Sequence, residues 1–204
     1  MTVSIIAIIG SYLLGSVSFS LLIAKWVKGI DIRQYGSGNA GATNTLRVLG
    51  KGPAIGVLAL DVLKGIAAVW IGRLVSDHTW VPVACGIAAI VGHNWPIFFR
   101  FRGGKGIATT IGVLASLAFL PALYAGIIAI LSIVWKRYVS LGSLLFTGLT
   151  PIFILLMGRD MSILIGSLLL CLFAFYRHRT NIVKLVQGTE NKLGANKGGV
   201  PRVR

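Results

Sequence analysis

The sequence predicts an all-α membrane bundle, and three observations carry that prediction. Apolar residues make up 55% of the 204 residues, charged ones only 12%, and the mean hydropathy is +0.84. That composition leaves too little charge to solvate the surface of a soluble domain. Long apolar runs recur along the chain at about the 20 residues a helix needs to cross hydrocarbon. The basic residues fall between those runs rather than along one polar face. The net charge of +15 therefore reads as membrane orientation in preference to nucleic-acid binding.

Taken in order, the first run, 3–27, is too long for a signal-peptide core and lacks a clean small-residue cleavage site, so it reads as a retained span. Runs 53–75, 80–99, 140–157 and 161–176 are each read as a further span. The run 107–135 is long for one helix and short for two, with Pro121 near its middle. Proline breaks the helix ladder, so a hairpin of two short helices is expected there, each of about 14 residues and rising about 20 Å. Loop charge supports the hairpin. With it there are seven transmembrane helices, the N-terminus outside and the C-terminus cytoplasmic. The inner segments then hold Lys28, Arg33, Arg47 and Lys51, then Arg100, Arg102 and Lys105, then Lys136 and Arg137, and all the basic residues after Tyr176; Arg73 and Arg159 face out. Residues 1–204 are expected to form one integral membrane domain, with 177–204 a cytoplasmic interfacial tail whose Ile182, Leu185 and Val186 share a helical face. Cys85 and Cys171 sit in apolar runs and read as small hydrophobes.

The chemistry is expected in the inner loops. The first runs from Tyr35 through Ser37, Gly38, Asn39, Gly41, Thr43 and Asn44 to Arg47. Its small residues and unpaired backbone N–H groups suit an anion, and a glycine-rich turn feeding a helix start makes a phosphate nest; a flexible linker is the competing reading. The second follows His93 and holds Gly103, Gly104 and Lys105. It lacks the spacing of a P-loop, so nucleotide hydrolysis has no support. Orientation of the chain alone would also account for its lysine. The third places Ser140 and Ser143 about one turn apart, which capping or packing would also explain. The fourth carries Arg177, His178 and Asn181, for which an interfacial anchor is the alternative. Asp61 and Lys64 stand one turn apart in an apolar helix, where charge is costly and is usually paired. His93 has no carboxylate near it in sequence.

In order and spacing, Gly36 to Asn44 with Arg47, Gly92-His93 with Pro96, Phe101 to Thr109, Ser140 with Ser143, and Arg177-His178 with Asn181 together resemble the bacterial acyl-phosphate-dependent glycerol-3-phosphate acyltransferases, the PlsY type. The likeness runs from the first helix to about Lys192; Lys184 departs from an arginine common in that family. The resemblance implies transfer of a fatty acyl group from acyl phosphate to the 1-hydroxyl of glycerol 3-phosphate, giving lysophosphatidic acid and phosphate, with no cofactor and no metal. It implies membrane lipid as surroundings, a soluble enzyme that makes acyl phosphate as partner, and the inner membrane as location, with the site on the cytoplasmic face. Ser37, Lys105, Ser143 and His178 are then the expected catalytic residues. Gly38, Asn39, Gly41, Thr43, Asn44, Arg47, His93, Gly103, Gly104 and Asn181 are the expected substrate-binding ones.

Two other classes compete. An anion transporter would need polar residues through the depth of the membrane, whereas here they cluster at one end. A phosphatidyltransferase of the CDP-alcohol kind would need several aspartates for metal, and the five acidic residues are scattered. The His-x4-Asp pair of acyl-CoA-type acyltransferases is absent, since Val83, Phe98 and Val183 follow the three histidines at that spacing. A phosphoryl oxygen of the donor is therefore the expected proton acceptor, without an acyl-enzyme.

Overall fold

The structure, a computed structural model, describes residues 1–194; the part of the expected tail carrying Lys197, Arg202 and Arg204 lies outside the described residues. The chain forms α1 (Thr2–Ser16), α2 (Phe19–Lys28), α3 (Ala42–Leu49), α4 (Lys51–Val75), α5 (Trp80–Asn94), α6 (Ile107–Leu117), α7 (Phe119–Lys136), α8 (Val139–Leu156), α9 (Met161–Arg177) and α10 (Arg179–Val186), with 3₁₀ turns at Ile32–Gln34 and Ile97–Phe99. Among the described residues there is no strand. The helices gather into two compact units, one reaching Val113 and one beginning at Leu114.

The apolar segments expected from the sequence are all helical, with two differences of detail. The first, 3–27, is broken: Val17 and Ser18 are extended, so α1 and α2 are separate helices. Both halves are apolar, and no proline or charge marks the break in the sequence. In the region 107–135 only one helix is short. The chain turns at Ala118, giving α6 of 11 residues and α7 of 18. Pro121 falls in the first turn of α7, where an N–H would lack an intrahelical partner in any case, so it starts the helix instead of splitting it. The first span with its break, α4, α5 with its following turn, α7 and α8 are each long and apolar enough to cross a membrane; α9 and α10 are bent by 64° at their junction.

In the first unit, α5 packs on α1 and α4, and α4 also meets α3 and α6. Small residues set these distances. A methyl on Gly15 would overlap the Ala89 carbonyl, and one on Gly92 the Tyr12 carbonyl, so α1 and α5 touch backbone to backbone. Gly65 against Thr109 and Gly112 against Val62 do the same for α4 and α6. The Tyr12 hydroxyl donates to the Trp95 carbonyl at 3.0 Å and ties α1 to the end of α5. Ser11, Ser16, Asp61, Lys64 and His93 are buried, whereas Ile6, Ile9, Leu63, Trp70 and Leu74 are exposed. Apolar side chains facing outward and polar ones inward suit a bundle whose solvent is lipid, where burying more leucine gains little and close packing and hydrogen bonds hold helices together.

In the second unit, α8 packs against α7 and α9, and α10 lies against both α8 and α9. Asp160 caps α9 by accepting from the Ser162 N–H at 2.7 Å.

Close approach generates a contrast. Gly92→Ala should force α1 and α5 apart and lower thermal stability in detergent by about 1–3 kcal/mol, the usual cost of overpacking. Gly126→Ala, with nothing within 4 Å of the added methyl, should be neutral or raise stability by up to about 1 kcal/mol, since alanine is the better helix former. Equal effects at the two sites would contradict backbone contact as the basis of the α1–α5 packing.

Candidate active site

The first inner loop is built on its own backbone. A small apolar cluster of Leu21, Ala24, Ile32 and Ala40, flanked by Val48, Leu49 and Phe99, anchors it beneath. Above that cluster Asn44 is buried, and its side chain organises the turn. Asn44 Oδ1 accepts the Ser37 N–H at 2.8 Å, and Nδ2 donates to the Ile32 and Tyr35 carbonyls at 3.2 and 3.0 Å. The amide of Asn44, expected to contact substrate, is thus committed to holding the loop's shape. Gly36 and Gly38 have φ of +61° and +72°, a left-handed conformation in which other residues are strained. A methyl on Gly36 would moreover strike Asn44 Oδ1. The result carries Ser37 exposed and Asn39 half-buried ahead of the N-terminus of α3, whose first residues include Thr43 and whose last turn carries exposed Arg47. Gly41 caps α3, its carbonyl accepting the Asn44 and Thr45 N–H groups at 3.1 and 3.0 Å.

The second loop folds back onto the end of α5. Gly103 N–H donates to the Asn94 carbonyl at 3.3 Å and Gly104 N–H to the His93 carbonyl at 3.1 Å. Gly104 is wedged: a methyl there would overlap both His93 Nε2 and the Ala40 carbonyl of the first loop. The two glycine loops therefore touch at Gly104, and the half-buried Lys105 follows immediately. Gly106, at φ +79°, turns the chain into α6.

Beneath that contact lies an ionic cluster that the sequence showed only in part. The expected Asp61–Lys64 pair is present at 2.8 Å, with both side chains 1% exposed. Lys64 Nζ also donates to the Val17 carbonyl at 2.8 Å and reaches His93 Nδ1 at 3.0 Å. His93 Nδ1 stands 3.6 Å from the Asp61 carboxylate, so the carboxylate absent near His93 in sequence is supplied from α4.

A second clasp was also missed. Arg33 makes paired hydrogen bonds to Asp31 and reaches the Phe99 and Arg102 carbonyls at 3.1 and 3.2 Å, fastening the first loop to the second. Its hydrogen bonds, opposed by partial burial, hold the Asp31 carboxyl below the usual carboxylate range. Aspartate and arginine two residues apart were legible in the sequence, but their carbonyl partners more than sixty residues on were not.

In the second unit, Ser143 is buried in the first part of α8 and its hydroxyl donates to the Val139 carbonyl at 2.9 Å. His178 sits at the bend between α9 and α10, with Nδ1 2.8 Å from the Ala174 carbonyl. A carbonyl only accepts, so Nδ1 carries the proton. Asn181 Nδ2 donates to Glu190 at 2.9 Å, and Leu193 pairs with Arg137 through its N–H and its carbonyl, bringing residues 188–193 back to the α7–α8 turn.

The chain is similar to known proteins over nearly its whole length. The sequence model of the glycerol-3-phosphate acyltransferase family matches residues 5–188. A glycerol-3-phosphate acyltransferase of Shouchella clausii is 60% identical over 201 residues, covering 95% of this chain and 98% of the relative. One of Halalkalibacterium halodurans is 59% identical, covering 93% and 95%. The crystal structure of PlsY, an integral membrane glycerol 3-phosphate acyltransferase, in its glycerol 3-phosphate form has a TM-score of 0.88 and 39% identity, covering 94% of this chain and 96% of that one. In its lysophosphatidic acid form the TM-score is 0.86, with 38% identity and coverage of 94% and 95%.

Two outcomes follow from the loop geometry. Asn44→Ala strips partners from three backbone groups of the loop, of which the bond to the Ile32 carbonyl is buried and a buried group left unsatisfied costs about 1–3 kcal/mol, so it should abolish activity and lower thermal stability together; full activity at wild-type stability would show that the loop does not depend on this amide. The Asp31–Arg33 clasp should be insensitive to mild acid. A depressed carboxyl contributes stability that is complete above the unfolded value and is lost as pH falls through the folded one. The stability gap between wild type and Asp31→Asn should therefore stay constant between about pH 5 and 8 and close only below about pH 4; a gap that closes at pH 6 would contradict the assignment.

Proposed function

The chain belongs to the glycerol-3-phosphate acyltransferase family of the PlsY type, and from that premise we propose that it transfers a fatty acyl group from acyl phosphate to the 1-hydroxyl of glycerol 3-phosphate, giving lysophosphatidic acid and inorganic phosphate in phospholipid synthesis. The observation that carries this reading is the contact of the two glycine loops at Gly104, which seats Lys105 beside the backbone turn of residues 36–44. Backbone N–H groups at a helix start and an adjacent ammonium are what a phosphate monoester needs. Both substrates carry a phosphate. The relatives' names give the acceptor, and the activated donor accounts for a site with so few titratable groups.

In this reaction the glycerol hydroxyl oxygen attacks the acyl carbonyl carbon, its proton passes to a phosphoryl oxygen of the donor, and the carbon–oxygen bond to phosphate breaks as phosphate leaves. Phosphate with a second pKa near 6 makes a reasonable acceptor. Arg47 and Lys105 bind anionic oxygens, as does His178 when protonated. Ser37, Asn39, Thr43, Ser143 and Asn181 supply oriented hydrogen bonds, with Gly38, Gly41 and Gly103 shaping the turns of the two glycine loops. A Ser143 nucleophile has little support, because its hydroxyl proton is directed to the Val139 carbonyl. The site lies on the cytoplasmic face of the cell membrane, where the positive-inside rule places these basic loops, and a soluble enzyme delivers the acyl phosphate.

Purified protein given labelled glycerol 3-phosphate with acyl phosphate, acyl-CoA or acyl carrier protein in parallel should form lysophosphatidate with acyl phosphate only; turnover with acyl-CoA alone overturns the donor. Arg47→Met and Lys105→Met should each lower kcat/KM by about 10- to 100-fold, the value of one charge-assisted hydrogen bond. No labelled acyl group should be trapped on Ser143, and recovery of one would replace direct transfer with a two-step route.

A further inference from the structure

We propose that His93 is a positioning residue, held by the buried Lys64–Asp61 pair with its proton on Nε2 so that the imidazole edge supports Gly104 and seats the Lys105 loop. An ammonium has three N–H donors and no acceptor. In Lys64 the three find Asp61 at 2.8 Å, the Val17 carbonyl at 2.8 Å and His93 Nδ1 at 3.0 Å. Nδ1 must therefore offer its lone pair to Lys64. The 3.6 Å separation from Asp61 is too long for a competing Nδ1–H bond to the carboxylate. A neutral ring with an occupied Nδ1 lone pair carries its proton on Nε2, and Nε2 is the atom that abuts Gly104.

The same residue meets the loop through its backbone, since the His93 carbonyl accepts the Gly104 N–H at 3.1 Å. Gly104 is thus gripped by the imidazole, the His93 carbonyl and the Ala40 carbonyl of the first loop. His93 is 5% exposed and Asp61 and Lys64 less still, which leaves this trio to act through the loop and not on substrate. Its three members come from α4 and α5 and its fourth partner from the α1–α2 break, so the loop's position is referred to the rigid core of the first unit.

The kinetic test rests on the acyl-transfer reading, and a second measurement does not. In the full-length enzyme in lipid, His93→Leu should raise KM for at least one phosphate substrate by about tenfold or more, with a smaller loss of kcat, because a displaced loop weakens anion binding before chemistry. His93→Gln, which keeps an N–H donor near the Nε2 position, should recover most of that loss. The double variant Asp61→Asn/Lys64→Met, which strands no lone ion, should move the same KM as His93→Leu. Wild-type KM for both substrates in folded variants, with only stability lowered, overturns the proposal. Nitrogen-15 NMR of histidine-labelled wild-type enzyme, with the His93 signals assigned by their loss in His93→Gln, supplies the second arm. Nδ1 should report as unprotonated and Nε2 as protonated, and the opposite tautomer or an imidazolium overturns the proposal whatever the kinetics of the variants. If the unaltered enzyme shows no acyl transfer with any donor, the functional reading fails while the tautomer still decides the role of His93.

Discussion

One buried ammonium fixes much of the first unit. Lys64 lies in the middle of a helix that is otherwise apolar, where an unpaired charge would cost several kcal/mol. It is tolerated because each of its three donors meets an acceptor from a different piece of chain: Asp61 one turn away, His93 on α5 and the Val17 carbonyl at the break between α1 and α2. An unbroken first helix would have used that carbonyl in its own ladder. The break that shortens α1 and the charge that α4 buries are two halves of one arrangement. Rotation of α4 by even a fraction of a turn would strand the ion, so the pair sets the helix's orientation as well as its depth.

That fixed core supports the proposed site, which is made largely of main chain. Glycine-rich loops gain close access to a ligand at the cost of conformational entropy, and this protein restrains them from below. Asn44 ties three backbone groups of the first loop, Arg33 ties the first loop to the second through two carbonyls, and the end of α5 ties the second through the carbonyls of His93 and Asn94. The polar side chains nearest the loops divide into those that hold the backbone and those left at its surface. Asn44 and Arg33 belong to the first group; exposed Ser37 belongs to the second.

Hydropathy made the spans legible because apolar length is a local property, and the kink within 107–135 was legible because proline and run length are local too. The exact turn was not, since Ala118 departs from helix without any breaker and Pro121 simply opens the next helix. The α1–α2 break was hidden for a related reason: the partner of its Val17 carbonyl is Lys64, 47 residues downstream. Distance in sequence also concealed the carboxylate facing His93 and the carbonyls facing Arg33. Small residues mark loops able to hold an anion, but they do not distinguish an asparagine that touches a ligand from one that shapes the turn. That difference lies in where its amide points, which only the folded chain decides.

The disposition of the carboxylates bears on the reaction itself. General base catalysis by a side chain needs a group within hydrogen-bond reach of the attacking hydroxyl. Of the five acidic residues, Asp31 is engaged by Arg33, Asp61 by Lys64, Asp160 by the cap of α9 and Glu190 by Asn181. The fifth, Asp77, is exposed beyond the end of α4, a helix of 25 residues whose other end adjoins α3. Lys64, whose ammonium reaches His93 beside Gly104, stands eleven residues before that end, so at about 1.5 Å per residue Asp77 lies beyond a point about 16 Å along the axis from this contact. Four of the carboxylates thus have structural partners and the fifth lies away from the loop contact, which supports the proposed donor, acyl phosphate, as the source of the proton acceptor. A protein that spends its acidic residues on holding cations and helix ends suits a reaction whose base arrives with the substrate.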